Sequence, residues 1–204
     1  MEFNPPQKLP PPMKSFSASV IAFSAIVATG FAQAPTPVGA PVTIGAVKLG
    51  KVQHSLVKTP EFQITGGQAK RYKTGEWLEL EVEFETKREE VDELTFKYTV
   101  LVEKKLLDGE VTVINIPKGR DHYSVMYVAP RSLEKLTAGK PVTPAAVENV
   151  WVDVLWHGQV LDSVSVHPGK PPNLPHITGL VANKNETPFA PLYYDRYEVI
   201  KSAR

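Results

Sequence analysis

The sequence predicts an all-β fold, in which two antiparallel sheets pack as a sandwich with one short helix and an extended C-terminal strap. Three observations predict it. Between residues 42 and 167, apolar and polar residues alternate with period two, which is typical of strands that bury one face. Glycine, proline and aspartate separate these stretches. Only residues 130–138 have the spacing of an α-helix.

The N-terminal segment has the parts of an export signal. Met13 and a lysine precede an apolar run at 16–31, and the run ends in the small-residue pattern Gly-Phe-Ala at Ala32. We therefore expect translation to start at Met13 and a signal peptide at 1–32 to be cleaved after Ala32. The protein would then be exported, to the periplasm, the outer-membrane surface or the extracellular space.

A permanent membrane anchor is the alternative to cleavage. The apolar run is shorter than the roughly 20 residues that span a bilayer, and four serine or threonine residues interrupt it. We therefore expect no integral membrane segment after cleavage. Residues 33–41 are rich in proline and predict an extended linker to the folded domain.

Composition excludes several classes of partner and of chemistry. The chain has no cysteine, so it can form no disulfide bond and use no thiol nucleophile. Its formal net charge is +1, and the basic residues are scattered rather than clustered. Nucleic-acid binding depends on clustered lysine and arginine, so the sequence predicts no nucleic-acid partner.

The first predicted strands lie at 42–52, 62–64 and 77–85. In the third strand, leucine, valine and phenylalanine alternate with glutamate, which predicts one buried face and one solvated face. The glutamates are Glu79, Glu81, Glu83 and Glu85.

A second long strand is predicted at 94–103, where every second residue is apolar. Asp108-Gly109 predicts a hairpin turn after it, because a type I′ turn needs two residues that tolerate positive φ. Further along, a return strand is expected at 110–116, a turn at 117–119 and another strand at 122–129.

The remaining elements complete the sandwich at residue 167. A helix is predicted at 130–138, with a second helical turn from Pro144. Strands at 151–157 and 159–166 are expected to pair across a turn, and Trp156 lies on the apolar face of the first. Seven to nine short strands with so little helix predict an immunoglobulin-like sandwich over residues 42–167.

The segment 168–204 is the predicted strap. Four prolines at its start exclude a regular central strand, and its end has the sequence Thr-Pro-Phe-Ala-Pro-Leu-Tyr-Tyr-Asp-Arg-Tyr at 187–197. Such aromatic residues either dock on the sandwich or remain available to a partner. The candidate partner-binding residues are Phe189, Tyr193, Tyr194 and Tyr197.

With its export signal, all-β domain and tail sequence, the chain resembles a group of verrucomicrobial envelope proteins with immunoglobulin-like folds. Some of these are encoded beside type IV pilus-like machinery in mucus-dwelling bacteria. The resemblance implies an outer-membrane or pilus-associated structural protein without enzymatic activity. Its partners would be envelope or filament proteins, including further copies of the chain itself.

No catalytic or metal-binding pattern is evident. The chain lacks a Gly-x-Ser-x-Gly elbow and a phosphate-binding glycine loop, and its five histidines have no metal-ligand spacing. Glutamates two residues apart on a strand are separated by about 6.6 Å, near the spacing of inverting glycosidases, but a solvated strand face accounts for them. The sequence predicts no enzyme, no cofactor and no metal.

Two tryptophans support an alternative function. Trp77 and Trp151 occupy the polar face of their predicted strands, not the apolar face. Asp153 lies on the same face as Trp151. Aromatic rings beside polar side chains are a common means of binding sugars. The leading prediction is therefore a non-enzymatic exported structural or protein-interaction component of the bacterial envelope, and the alternative is a carbohydrate-binding β-sandwich module.

Overall fold

The computed structural model describes residues 42–63, 65–66 and 74–202. The signal peptide and linker predicted at 1–41 lie outside the described residues, as does Ile64. Within these residues the chain forms eight strands and one α-helix. The elements are β1 (Val47–Lys58), β2 (Glu76–Val102), β3 (Lys105–Val128), α1 (Pro130–Leu136), β4 (Val147–Trp156), β5 (Gln159–Ser165), β6 (His176–Thr178), β7 (Val181–Asn183) and β8 (Val199–Ile200).

Two long strands build both layers of the fold. β2 and β3 form one antiparallel hairpin, in which Leu78 lies opposite Val128 and Val102 lies opposite Lys105. The first half of β2 also pairs with β1, and its second half pairs with β4, which continues to β5. The register shifts between Thr86 and Glu90, where the hairpin passes from one half of the sheet to the other.

The core lies between the two halves because the same face of β2 is buried in both. The even-numbered residues from Leu78 to Phe84 and from Leu94 to Val102 are buried, and they belong to one apolar cluster. Phe84 and Phe96 meet from opposite sides of the bend, with ring centroids 4.9 Å apart. Because both halves of β2 bury the same face, the single folded sheet packs as a sandwich.

The two halves are also joined at one margin. β1 contacts β5, and the backbone N–H of Leu49 donates to Asp162 Oδ2 at 2.8 Å. This bond satisfies an amide of an edge strand next to a register shift in β1.

The structure confirms the predicted fold class, an all-β sandwich with one short helix. α1 lies within the predicted helix, and a 3₁₀ turn occurs at Pro144–Ala146. β4 and β5 pair across the predicted turn, where both His157 and Gly158 have positive φ. Trp156 is buried in the core cluster as expected, and its indole N–H donates to Asp92.

The hairpin turn predicted at Asp108-Gly109 is wrong. The turn lies at Glu103 and Lys104, whose φ values are 47° and 57°, and Asp108 and Gly109 are paired residues inside β3. A non-glycine pair adopts the type I′ conformation here because twenty residues of each flanking strand fix the register. Gly109 instead provides room for Val181, which an added Cβ would approach to 2.6 Å.

Four further predictions about the strands need correction. The turn predicted at 117–119 lies within β3, and the strands predicted at 77–85 and 94–103 are parts of one strand, β2. In both cases a bend with a register shift replaces the turn. Residues 62 and 63 form no strand, and the first strand begins at Val47 rather than at residue 42.

The strap contributes three short strands, and all of them pair with β3. β6 lies parallel to β3 near Leu107, β8 pairs near Val113, and β7 pairs near Tyr127. A bridge between Tyr123 and Tyr197 adds a fourth contact. The strap therefore covers the edge of β3 that β2 leaves open, which protects it from pairing with other chains.

The position of the turn can be tested by two substitutions. Lys104→Gly should raise the free energy of unfolding by about 0.5–1 kcal/mol, because glycine relieves a positive φ. Gly109→Ala should lower it by about 1–3 kcal/mol, because the new methyl group would collide with Val181. Urea unfolding measures both effects. The opposite pattern would place the turn at 108–109.

Candidate functional site

A second apolar cluster lies on the outer face of the β1–β2–β3 layer, under the strap. Phe189 is only 4% exposed and stacks on Tyr127, with centroids 4.5 Å apart and an interplanar angle of 4°. The edge of Trp77 meets Phe189 at 5.8 Å. Because Val125 and Tyr127 face away from the main core, Phe189 provides the apolar cover that they need.

Arg196 and its contacts with Glu81 and Tyr123, here called the Arg196 clamp, hold the next part of the strap. The Arg196 guanidinium donates two hydrogen bonds to Glu81, at 2.8 and 3.2 Å, and stacks on the Tyr123 ring at 3.8 Å. Tyr197 Oη donates to the same carboxylate at 2.7 Å. These hydrogen bonds to Glu81 raise the pKa of Arg196, while burial raises the pKa of Tyr197. A bidentate pair stacked on a ring has more fixed geometry than an ordinary surface ion pair.

A third anchor joins the strap to the bend of the hairpin. His122 is buried, stacks on Phe84, and has Nδ1 2.6 Å from Glu198 Oε1. Its Nε2 has no hydrogen-bond partner among the described atoms. When Nδ1 donates to the carboxylate, Nε2 of a neutral ring carries a lone pair and has no proton to satisfy. Gly119 makes room for the ring, since a Cβ there would lie 2.7 Å from Nε2.

A buried lysine stabilises the turn that leads into the aromatic segment. Lys184 is 4% exposed, its ammonium donates to the Ala190 carbonyl at 2.8 Å, and it faces the Tyr197 ring at 5.8 Å. Burial lowers the pKa of Lys184. Asn183 and Glu186 cap this turn reciprocally.

The tip of the strap projects into solvent. Tyr193 and Tyr194 are 57% and 84% exposed, and they lie in a turn closed by bonds from the Arg196 and Tyr197 amides to the Tyr193 carbonyl. Tyr193 has a φ of 51°, a left-handed conformation that is unfavourable for a bulky residue. Two exposed rings therefore stand on a segment that is anchored on both sides.

The four tail aromatics predicted as partner-binding residues thus fall into two pairs. Phe189 and Tyr197 make internal contacts with the sheet, whereas Tyr193 and Tyr194 are available at the surface. With the strap docked, the second pair is the more exposed of the two.

The three residues predicted for sugar binding do not form one surface. Trp77 and Trp151 lie on the outer faces of different halves of the sheet, since their neighbours Leu78 and Val150 both point into the core. Both rings are half-buried, and their indole N–H groups already donate, to Thr59 and to the Gly169 carbonyl. Asp153 is half-buried on β4, near Trp151 and away from Trp77.

A cleft of about 830 Å³ separates the strap tip from the end of β1. Glu79 and Glu81 lie on its sheet side. The remaining lining residues are Val57, Lys58, Thr59, Pro60, Phe189, Leu192, Tyr193, Arg196 and Tyr197. Aromatic rings, apolar groups and two carboxylates thus converge on one concave surface.

Glu79 has an unusual environment in this cleft. Its carboxylate accepts hydrogen bonds from Tyr127 Oη at 3.0 Å and from Ser55 Oγ at 3.4 Å. None of the ion pairs between described residues includes it. Burial raises the pKa of Glu79, an effect that the hydrogen bond from Tyr127 partly offsets and the nearby Glu81 increases. The glutamate row is therefore covered by the strap at this point, whereas the sequence predicts a solvated face.

Other kinds of site are not found in the part of the chain that the structure describes. No described helix is long and apolar enough to cross a bilayer. No group of three or more histidine, aspartate or glutamate side chains there is arranged to hold a metal ion. The histidine-carboxylate contacts of the described chain are structural links between strands or to the strap.

Sequence reasoning missed the contacts that position the cleft. Glu81 and Arg196 are 115 positions apart, and no local pattern connects them. The one available signal was Arg196 between tyrosines in the tail, which is a composition that favours stacking on a sheet.

The role of Phe189 can be tested by stability. Phe189→Ala should lower the free energy of unfolding by about 3 kcal/mol, because it removes the ring that covers Tyr127 and Trp77. Tyr194→Ala is the matched control and should change it by less than about 0.5 kcal/mol. Equal effects of the two substitutions in chemical denaturation would contradict the docked strap.

The environment of Glu79 predicts a specific pH dependence. Because its folded-state pKa is raised, the ionised carboxylate destabilises the fold, and stability is recovered as pH falls through that pKa. Glu79→Gln should therefore be more stable than the original chain at neutral pH, with a difference that disappears in acid. Thermal unfolding from pH 3 to 8 measures this. A Glu79→Gln variant that is less stable than the original chain at neutral pH would show that the ionised carboxylate does not destabilise the fold.

Comparisons with known proteins agree with the architecture. A crystal structure of a protein from Akkermansia muciniphila matches with a TM-score of 0.67 and 24% identity, over 78% of this chain and 94% of that chain. At this identity the likeness shows a shared fold. That species is verrucomicrobial and mucus-dwelling, so the expected resemblance to verrucomicrobial proteins is confirmed in fold. No curated protein matches the sequence. A protein-family model matches residues 40–204, and the chain belongs to the family that this model describes.

Proposed function

We propose that this protein is a non-enzymatic, exported structural or protein-interaction component of the bacterial envelope, which associates with other envelope or filament proteins through the tip of its strap. The observation that carries the proposal is the pair Tyr193 and Tyr194, exposed on a turn that is fixed to the sheet on one side by Phe189 and on the other by Arg196. Association with pilus-like machinery, which the tail resemblance implies, belongs to the same proposal.

The geometry of the tip supports recognition of a protein. Tyrosine contributes a large contact area and a hydroxyl group at a low cost in side-chain entropy, and it is enriched at interaction hot spots. The strap is held by the Phe189 stack, the Arg196 clamp and the Glu198 contact, so ordering it costs little on association. A strained φ at Tyr193 is consistent with a conformation kept for binding.

Export is supported by sequence features alone. The positive start, the apolar run at 16–31 and the Ala32 exit favour delivery to the periplasm, the outer-membrane surface or the extracellular space. Absence of cysteine leaves stability to the core and the strap, which together bury a large share of the apolar residues.

Cross-linked capture from intact envelopes tests the proposal. The full chain should recover specific filament or outer-membrane proteins, identified by mass spectrometry. The double substitution Tyr193→Ser and Tyr194→Ser should reduce that recovery about tenfold or more, as expected for loss of hot-spot residues.

Ile44→Ser is the control, because Ile44 is 72% exposed and lies outside the strap. Equal recovery by the tip variant and the control would contradict binding through the tip. Retention of envelope glycans without any protein, lost on Trp77→Ala or Trp151→Ala, would favour the carbohydrate-binding alternative.

A further inference from the structure

We infer that the cleft between the strap tip and the end of β1 binds a lysine or arginine side chain of the partner protein, with Glu79 as its counter-ion. This inference rests on the proposed function and names the chemistry that the partner must present. Its first basis is the shape of the cleft, whose volume of about 830 Å³ is enough for a side chain and part of the adjoining backbone.

Charge complementarity identifies the occupant. Two carboxylates lie in the cleft, and the hydrogen bonds of Arg196 go to Glu81, so its charge only partly offsets the effect of burial on Glu79. Glu79 accepts from two hydroxyl groups, which satisfy hydrogen bonding but supply no positive charge. A half-buried carboxylate without a cation in direct contact is unfavourable for the free protein, and a cationic group from a partner would relieve that cost.

The two basic residues of the cleft do not supply this cation. The Arg196 guanidinium is held against Glu81 and the Tyr123 ring. Lys58 is exposed at the end of β1, lies opposite Glu76 in the strand register, and makes no ion pair with Glu79.

The walls of the cleft suit a cation with an apolar stem. Rings of Phe189, Tyr193 and Tyr197 line it, together with Val57 and Leu192. Aromatic faces attract ammonium and guanidinium groups, and the methylene groups of lysine or arginine pack on apolar surface. Tyr193 is exposed and also lines the cleft, so the tip and the cleft form one continuous surface.

A short peptide can test the assignment directly. The probe is the blocked pentapeptide Gly-Ser-Arg-Ser-Gly, titrated into the isotope-labelled full chain and followed by NMR. Saturable shifts should appear at Tyr193, Arg196 and Tyr197, and the same peptide with glutamine in place of arginine should bind about fivefold more weakly or worse.

Two variants test which side chains of the cleft bind the peptide. Glu79→Gln should weaken the arginine peptide about fivefold or more, although the variant is expected to fold as stably as the original chain or more so. Glu83→Gln is the matched control, because Glu83 lies on the same face of β2 but outside the cleft. Tyr193→Leu removes the ring, keeps an apolar side chain, and should also weaken binding.

Several results would overturn the inference. Equal binding of the arginine and glutamine peptides, or an unchanged affinity in Glu79→Gln, would remove Glu79 as a counter-ion. Stronger binding of chitotriose than of the arginine peptide in the same cleft would assign it to glycans.

The same variants separate this inference from the proposed function. If Glu79→Gln leaves envelope capture intact and the tip substitutions abolish it, the cleft is not the binding site for a basic side chain, but the assembly role stands. If the chain captures no envelope protein but binds the arginine peptide through Glu79, the cleft is a binding site for a basic side chain and the assembly role is rejected.

Discussion

The bent hairpin of β2 and β3 is the constraint on which the rest of the structure depends. Its strands are 27 and 24 residues long, far longer than an average strand, and each belongs to both halves of the sandwich. Because the same face of β2 is buried on both sides of the bend, the two halves close on each other. β1 and β4 then extend the halves on one side, and the opposite edge of β3 remains for the strap.

The strap covers that open edge and adds an outer surface to the sandwich. Three short strands cover the edge, while the aromatic segment folds over the outer face and is held by Phe189, Arg196 and Glu198. The same docking creates the cleft, since one of its walls is the sheet and the other is the strap. Edge protection and presentation of the tyrosine tip are therefore two consequences of one arrangement, which explains why a proline-broken segment is so extensively anchored.

Sequence reasoning predicted what depends on local pattern. Period-two alternation identified the buried face of β2 correctly, and the turn at His157-Gly158 and the helix from Pro130 were found because their signals are short-range. The turn at Glu103-Lys104 was missed because the strong Asp108-Gly109 signal lay five residues away, and strand register overruled it.

The candidate site was only partly predictable for a similar reason. Tail composition indicated aromatic contacts, but which rings are buried depends on pairings between positions more than 100 residues apart. The glutamate row was expected to face solvent because a single strand cannot reveal what covers it. Glu79 becomes half-buried, with a raised pKa, only because Tyr127, the strap and β1 surround it in the folded chain.

Native-state hydrogen exchange of the full chain tests the central claim, that the strap is an integral part of the sandwich, most directly. The Lys201 amide donates to the Thr112 carbonyl, and the amides of β7 pair with the end of β3. The account predicts that these strap amides exchange only through openings nearly as costly as global unfolding, like those of β2. Rapid exchange of the strap amides while β2 stays protected would show a strap that detaches from the sheet, and the account would be contradicted.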